Sequence, residues 1–547
     1  VSASRTGAEP SAAAPAARPS PARAAATLRL RARQPLPLAY AWAAAILGGA
    51  LLPFAFQPFD WWFLVVPAVA LALASLRGRT LPSAFWLGFT TGAIFFLLHI
   101  QWITVYLGAV PLVALTAWMA VWWGLGGMAL ALAWRWGEPR LQRPLGAFLG
   151  MPALLSAVWT LRESLSSSVP WGGFAWGRLA HTQASSPLAD TTSWVGFAGL
   201  TFVLAALSAL LLQLVLHHRT ILRRRLTIAA AALIAVVAIP AFPVETTGTI
   251  RVGAVQGASE AGLLAPYTRG EILQEHVDAT GLLAGEDLDL LVWPENAAEF
   301  YADEDPATLA ALDRVATAFA APLVVGSVTR DGDDTYNALL QVEPGEGAVA
   351  EYRKRHPVPF AEYLPERWLF EPILDALGFL DLIPRDFSVD PSSANAFDVA
   401  GVSAGLAICF DIIDDQLARE MVATHGAEII LAPTNNADFG RGSAENVQQL
   451  AIAQLRAVEA GRALVNISTV GTSAMIAPDG TVIDRLQQYE PGAMLEDLPL
   501  STTVTPGIRL GAWVDAALCI GAALALAGLA IASRGPRRST DRRSADA

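Results

Sequence analysis

Eight apolar runs, joined by connections that are alternately rich and poor in arginine, constrain this chain more than any other feature. The runs lie near 37–56, 61–76, 84–107, 110–134, 145–161, 194–216, 226–243 and 511–533. A helix needs roughly 20 mostly apolar residues to cross a bilayer; the second and fifth runs are the short ones. The N-terminal tail, Arg77 with Arg79, Arg135 with Arg140 and Arg143, the stretch 217–225 and the tail 534–543 are basic. The intervening connections 57–60, 107–111, 162–193 and 244–509 are not. Short arginine-rich loops stay on the cytoplasmic side. One rule therefore fits every segment: an eight-span α-helical membrane bundle, both termini cytoplasmic, with the block 244–509 outside.

Composition supports this division. Apolar residues make up 54% and charged residues 16%, which argues against a single soluble globule. Of 49 acidic residues about 41 fall in 244–509 beside about 15 basic ones, whereas the rest of the chain is basic. An acidic domain in a basic apolar frame lacks the positive footprint that nucleic acid requires, so no nucleic-acid partner is expected. The 17 tryptophans suit rings placed at membrane–water interfaces.

Residues 1–34 are mostly Ala, Pro, Ser and Arg and carry too little apolar surface to offset chain entropy; a disordered tail is expected. The apolar run that follows shows no small-x-small cleavage pattern, so it is read as a retained span. The domains are then the bundle at 35–243, the outer domain at 244–509, a last span at 510–533 and a basic tail at 534–547. The connection 162–193 is too long for a plain hairpin. Its Pro170, Trp171, Gly172, Gly173, Phe174 and Trp176 suit a lipid-facing loop, or equally an interfacial belt.

From residue 250 the texture changes to short apolar runs parted by turn residues. Strands are predicted at 250–256, 288–293, 322–328, 336–342, 405–409, 428–433, 463–467, 473–477 and 481–485, with helices at 267–284, 306–321, 415–425 and 444–461. Interleaved strands and helices over this length indicate an α/β sheet layered with helices. Such folds place ligands at strand ends, and Glu295, Lys354 and Cys409 stand there.

Cys409 is one of two cysteines, with no CxxC pattern and no partner for a disulfide framework. A buried core thiol is the bland alternative. An unpaired thiol in an exported domain nevertheless points to a nucleophile. Cys519 lies inside the last apolar run, where a core role suffices. Lys354 is the only lysine beside 36 arginines. A compact ammonium differs from a planar guanidinium fork, so its retention marks a site where arginine does not fit. Glu295 follows an apolar strand and Trp-Pro, a setting that desolvates a carboxylate and raises its pKa toward that of a useful base. Glu362, eight residues past the lysine, is a candidate orienting group.

Trp-Pro-Glu295, Tyr-Arg-Lys354 with Val-Pro-Phe-Ala-Glu362-Tyr-Leu-Pro, and Ile-Cys409-Phe410-Asp411 together resemble the Glu-Lys-Cys set of the nitrilase superfamily. With the apolar runs, the chain from about residue 36 is similar to that superfamily's membrane-embedded branch, the apolipoprotein N-acyltransferases. Val255-Gln256-Gly257, the stretch 434–440 and Arg456-Ala457-Val458-Glu459 belong to the likeness. The chain departs from the family pattern at Ala361 (usually Gly), at Phe410-Asp411 (usually Tyr-Glu) and at Asp438 (usually Trp).

The resemblance implies a nitrilase-like αββα sandwich on a membrane bundle in the bacterial cytoplasmic (inner) membrane. It implies transfer of a fatty acyl chain from a phospholipid to the α-amino group of a diacylglyceryl-cysteine on an apolipoprotein, through a cysteine thioester. Glu295, Lys354 and Cys409 would be catalytic, and Glu362, Phe410 and Asp411 supporting. Neither metal nor organic cofactor is implied, and a monomer is expected. A membrane-tethered amidohydrolase using the same triad, and a silent envelope scaffold, are the alternatives.

Overall fold

The computed structural model describes residues 34–534 apart from 218–226, 229, 232–233, 236, 260–261, 263–267, 300, 377 and 381–385. Residues 1–33 and 535–547 of the two expected tails, the basic stretch 218–225 and five residues of the seventh predicted span therefore lie outside the described residues. Among the described residues five helices are long and apolar enough to cross a membrane: Leu38–Ala55, Leu81–His99, Ala109–Gly137, Ala189–Leu216 and Pro506–Ser533. The short second and fifth runs also fold as helices, Trp62–Leu76 and Met151–Ser166, but fall below that length. The last long helix begins on a cap that its sequence supplies. Thr505 accepts a hydrogen bond from the backbone N–H of Ile508, and Pro506 occupies the first turn, where a missing N–H costs nothing.

The remainder forms two six-stranded sheets. The first runs β12-β1-β2-β3-β4-β5, with β1 Gly248–Gln256, β2 Leu290–Val292, β3 Leu323–Asp331, β4 Asp334–Glu343, β5 Gly347–Arg353 and β12 Gly492–Leu500. The second runs β11-β10-β9-β8-β7-β6, with β6 Ala396–Val399, β7 Val402–Leu406, β8 Ile429–Thr434, β9 Ala463–Ser468, β10 Ala474–Ile476 and β11 Val482–Arg485. Both sheets share one plan: three central parallel strands (β1-β2-β3 and β7-β8-β9) with antiparallel strands outside them. The central strands are buried on both faces, which explains why β8 and β9 read as continuous apolar runs rather than as alternation.

Three apolar layers hold this together. Val252, Leu290, Val292, Ile429, Leu431 and Val465 meet between the sheets. The helix Pro306–Phe319 and its neighbours cover the first sheet's outer face through Leu312, Ala316, Leu291 and Val325. The outer face of the second sheet is covered by the helix Ala444–Ala460, and that cluster continues without a break into the membrane-type helices through Ala453, Ala457, Phe197 and Leu200. One helix thus belongs to both halves of the molecule. That sharing places the second sheet's strand ends beside the bundle.

Several predicted elements differ in the structure. The strand expected to end at Cys409 stops at Leu406, and Cys409 instead opens a 3-10 turn, Cys409–Ile413. Strands β5, β6 and β12 and the helix Arg367–Ala376 were not among the sequence expectations. β5 and β12 are amphipathic or half-exposed and carry none of the apolar continuity that marks β8.

Candidate active site

Each site residue is delivered by the end of a strand. Glu295 lies three residues beyond β2, Lys354 follows β5 directly, and Cys409 lies three residues beyond β7. Gly326 on β3 passes so near the Glu295 loop that a Cβ there would come within 2.4 Å of the Glu295 Cα. Only glycine allows that approach.

Glu295 is buried, and its Oε1 accepts a hydrogen bond from Asn337 Nδ2 at 2.6 Å. The ammonium of Lys354 stands 3.7 Å from the same oxygen. Burial raises the Glu295 pKa above the ordinary carboxylate value; the Lys354 charge and the Asn337 hydrogen bond counter it, and Glu362 adds to it. Lys354 is itself only 2% exposed. Its Nζ donates to Glu362 Oε1 at 3.0 Å, and Glu362 Oε2 lies 2.9 Å away. Burial opposes the lysine's charge, but Glu362 and then Glu295 overcome it and hold its pKa above the usual lysine value. The lysine therefore stays charged. Asn337 Nδ2 also donates to Glu362 at 2.9 Å, so one amide on β4 ties the two carboxylates together.

Cys409 sits at φ +50°, in the left-handed region. Such a conformation costs a non-glycine residue about 1–3 kcal/mol and persists where the surroundings impose it. Asp411 supplies the constraint. Its Oδ2 accepts from the Ile408 N–H at 3.2 Å and from the Tyr352 hydroxyl at 2.8 Å, and its Oδ1 accepts from the His356 N–H at 3.0 Å. Tyr352 and His356 flank Lys354, so a single buried carboxyl fixes the cysteine turn to the lysine segment. Burial, then the charge of Glu295, push the Cys409 thiol up to about 12, with Lys354 pulling the other way. The resting sulfur is a thiol, and Gln449 Nε2 donates to it at 3.6 Å.

Phe410 turns away from this polar group toward the membrane-type helices. Its ring stacks on Trp176, centroids 6.3 Å apart and planes 2° from parallel. Trp176 belongs to the 162–193 connection, whose aromatics suited either a lipid-facing loop or an interfacial belt; Trp176 itself is buried against the Cys409 turn, while Trp171 is more open and packs its edge on Phe360. Trp176 Nε1 and Trp102 Nε1 both donate to Gln448 Oε1, at 2.7 and 3.2 Å. Arg178 of the same connection pairs with Asp415 at 2.8 Å, and Asp415 pairs with Arg456 at 3.0 Å. Arg456 donates onward to the Ile412 and Ile413 carbonyls. The two halves are joined directly at the Cys409 turn.

Sequence reasoning missed Asn337, Gln449 and Glu445. Asn337 left little signal, since β4 also carries Thr335 and a second amide, Gln341. Glu445 left none, since an acid in a helix's first turn is ordinary. Among the described residues, no group of three or more His, Cys, Asp or Glu side chains is arranged to hold a metal ion.

A carboxylate, an ammonium and a thiol at the strand ends of two stacked sheets define a carbon–nitrogen-hydrolase type of domain, here carried on membrane-type helices. Residues 251–505 match the family model described as carbon-nitrogen hydrolase, and residues 48–210 match the apolipoprotein N-acyltransferase N-terminal domain. Apolipoprotein N-acyltransferases of Mycolicibacterium smegmatis and Pseudomonas aeruginosa are each 30% identical to the chain, over 92% of it and 87% of the former, and over 87% of it and 93% of the latter. The Azotobacter vinelandii enzyme of that name is 29% identical over 87% of this chain and 92% of its own. A solved nitrilase-superfamily amidase from Nesterenkonia is 20% identical, covering 47% of this chain and 94% of that one with a TM-score of 0.36. The chain belongs to the apolipoprotein N-acyltransferase family.

Proposed function

We propose that this protein moves a fatty acyl group from a phospholipid to the α-amino group of an apolipoprotein's N-terminal diacylglyceryl-cysteine, through a thioester on Cys409. The observation that carries this reading is the buried Glu295, Lys354 and Cys409 group, whose nucleophile turn is stacked through Phe410 on Trp176 of the membrane part. A soluble amide would need no such mounting. Two lipid substrates used in turn do.

A neutral thiol is a poor nucleophile and an oxygen ester aminolyses slowly, so dividing the transfer at a thioester replaces one hard step by two easier ones. Glu295 takes the Cys409 proton as sulfur attacks the ester carbonyl. Its raised pKa narrows the gap to the thiol and eases that transfer. Lys354, fixed by Glu362, stabilises the oxyanion in a site largely free of water. The tetrahedral adduct collapses, and Glu295 returns the proton to the departing lysophospholipid oxygen. The acceptor amine then attacks the thioester. Glu295 takes a proton from the attacking nitrogen and passes it to the sulfur as Cys409 leaves.

The same reading sets the protein in the bacterial cytoplasmic membrane as an eight-span monomer, with 244–509 outside and both termini in the cytoplasm. Accessibility labelling of single cysteines would then find positions near Arg140 and Arg223 on the cytoplasmic side and Asp331 outside; Asp331 and Arg223 on one side would overturn the span count. The activity itself is tested by incubating membranes that contain the protein with labelled phospholipid and a diacylated lipopeptide. Label on the lipopeptide amine supports the reading. Turnover of simple amides without lipopeptide acylation would favour the amidohydrolase.

A further inference from the structure

Glu445, in the first turn of the helix Ala444–Ala460, is a buried carboxyl for which the mechanism above has no use. It is 2% exposed. Its Oε2 accepts from Asn436 Nδ2 at 2.9 Å, and its Oε1 has no hydrogen bond among the described residues. Glu295, of like sign, adds to the cost of its charge, and no cation among the described residues compensates it. Removing a carboxylate from water without a counterion costs several kcal/mol, more than the roughly 0.3–1 kcal/mol that an acid in a helix's first turn usually contributes.

Its surroundings lead to the nucleophile. Asn436 Nδ2 also donates to Gln449 Oε1 at 2.8 Å, and Gln449 Nε2 donates to Cys409 Sγ. Ser468 Oγ fixes the far side of Asn436 at 2.6 Å, and a Cβ on Gly471 would collide with that Asn436 oxygen at 2.2 Å. The link from Glu445 to the sulfur is therefore rigid. The Cys409 thiol feels the Glu445 charge, which places the two groups in one electrostatic neighbourhood. Beside Glu445, Ser443 Oγ and both polar side-chain atoms of Asn446 are buried without partners. A carboxyl lacking a cation, next to polar atoms lacking partners, fits a ligand that carries an ammonium on a peptide chain.

We propose that Glu445 receives the α-ammonium of the acceptor and takes its surplus proton before attack on the Cys409 thioester. The inference rests on the acyl-transfer reading. In this step an N–H bond of the ammonium breaks and an O–H bond forms on Glu445, leaving a neutral amine; the carboxyl later releases that proton to water. The amine then attacks as above, with Glu295 handling the second proton. Burial raises the Glu445 pKa to about 8, with Asn436 opposing and Glu295 reinforcing. An arriving ammonium supplies the missing cation and favours the ionised carboxyl, which can then take the proton of an α-amino group whose own pKa is about 7.7–8.0.

The test uses the full-length protein in phospholipid vesicles with Glu445→Gln and Glu445→Asp. Gln keeps an acceptor for Asn436, so the acyl-enzyme should form from phospholipid at close to the unmodified rate, which also shows that the variant is folded. Discharge onto a diacylated lipopeptide at pH 7 should fall roughly 10- to 100-fold, the usual effect of losing one charge-assisted hydrogen bond, with a raised KM. Glu445→Asp should recover part of it. The Gln defect should shrink as pH rises past about 8, where the amine loses its proton unaided. Discharge by hydroxylamine, neutral at pH 7, should be unaffected. Normal lipopeptide discharge in Glu445→Gln, a defect that persists at high pH, or equal loss of acyl-enzyme formation would each overturn the proposal. Failure of the unmodified protein to form an acyl-enzyme would instead count against the thioester reading.

Discussion

The ring of Phe410 lies 2° from parallel to that of Trp176, with centroids 6.3 Å apart. One residue adjoins Cys409 and the other belongs to the connection between the membrane-type helices, so the position of Cys409 is tied to them. An aromatic pair of this kind contributes about 0.5–1.5 kcal/mol beyond its buried area. Trp176→Ala should therefore slow acyl-enzyme formation roughly two- to tenfold, and Trp176→Phe should keep most of the rate. An unchanged rate in Trp176→Ala, read from a time course of acyl-enzyme accumulation, would mean that the turn holds its place unaided.

Lys354→Arg keeps the charge and changes only its shape. The lysine is enclosed, so the larger planar guanidinium, which would pair with both Glu362 oxygens, must displace its neighbours and turn its donors from the place of the compact ammonium. Lipopeptide acylation should drop by roughly 10²–10³, the cost of losing one oxyanion donor. Activity near that of the unmodified protein would reduce Lys354 to a charge.

The acidic limb of acyl-enzyme formation should reach zero above the pH expected for an ordinary glutamate. The sign follows from Glu295: it must be ionised to take the thiol proton, and burial raises its pKa above the usual 4.5. Rate is then lost as pH falls through that raised value. Asn337→Ala removes a hydrogen bond that lowers the Glu295 pKa, so the limb should move to still higher pH. A limb that stays in place or moves down would show that another group sets it.

The Cys409 thiol, pushed up to about 12 by burial, should react slowly with iodoacetamide at neutral pH, although it is the proposed nucleophile. Rapid alkylation of the resting protein at pH 7 would contradict the thiol-at-rest description.

What the sequence disclosed follows from how locally each feature is encoded. Apolar runs such as 194–216 and strands such as β8 announce themselves because burial on every side demands continuous apolar residues. The solitary lysine and the unpaired thiol stood out by composition alone. The Cys409 turn did not, because its positive φ depends on Asp411 bridging to Tyr352 and His356, residues more than fifty positions away in the chain. Asn337 and Glu445 were hidden for the same reason, since their roles arise only when β4 and the helix Ala444–Ala460 are brought to the strand ends. The aromatic loop was noticed, but which of its rings turn inward was set by Gln448 and Phe410 across the join.

The central claim is a covalent acyl group on Cys409 before any acceptor arrives. Mass spectrometry of the full-length protein after exposure to phospholipid alone tests it most directly. The expected result is one fatty acyl mass increment on Cys409, removed by hydroxylamine, absent in Cys409→Ser and in Glu295→Gln, and retained in Cys519→Ser, whose sulfur sits in the Pro506–Ser533 helix beside Asp515. Acylated lipopeptide in the same preparation with no adduct on Cys409 at any time point would mean direct transfer, and would contradict the thioester mechanism.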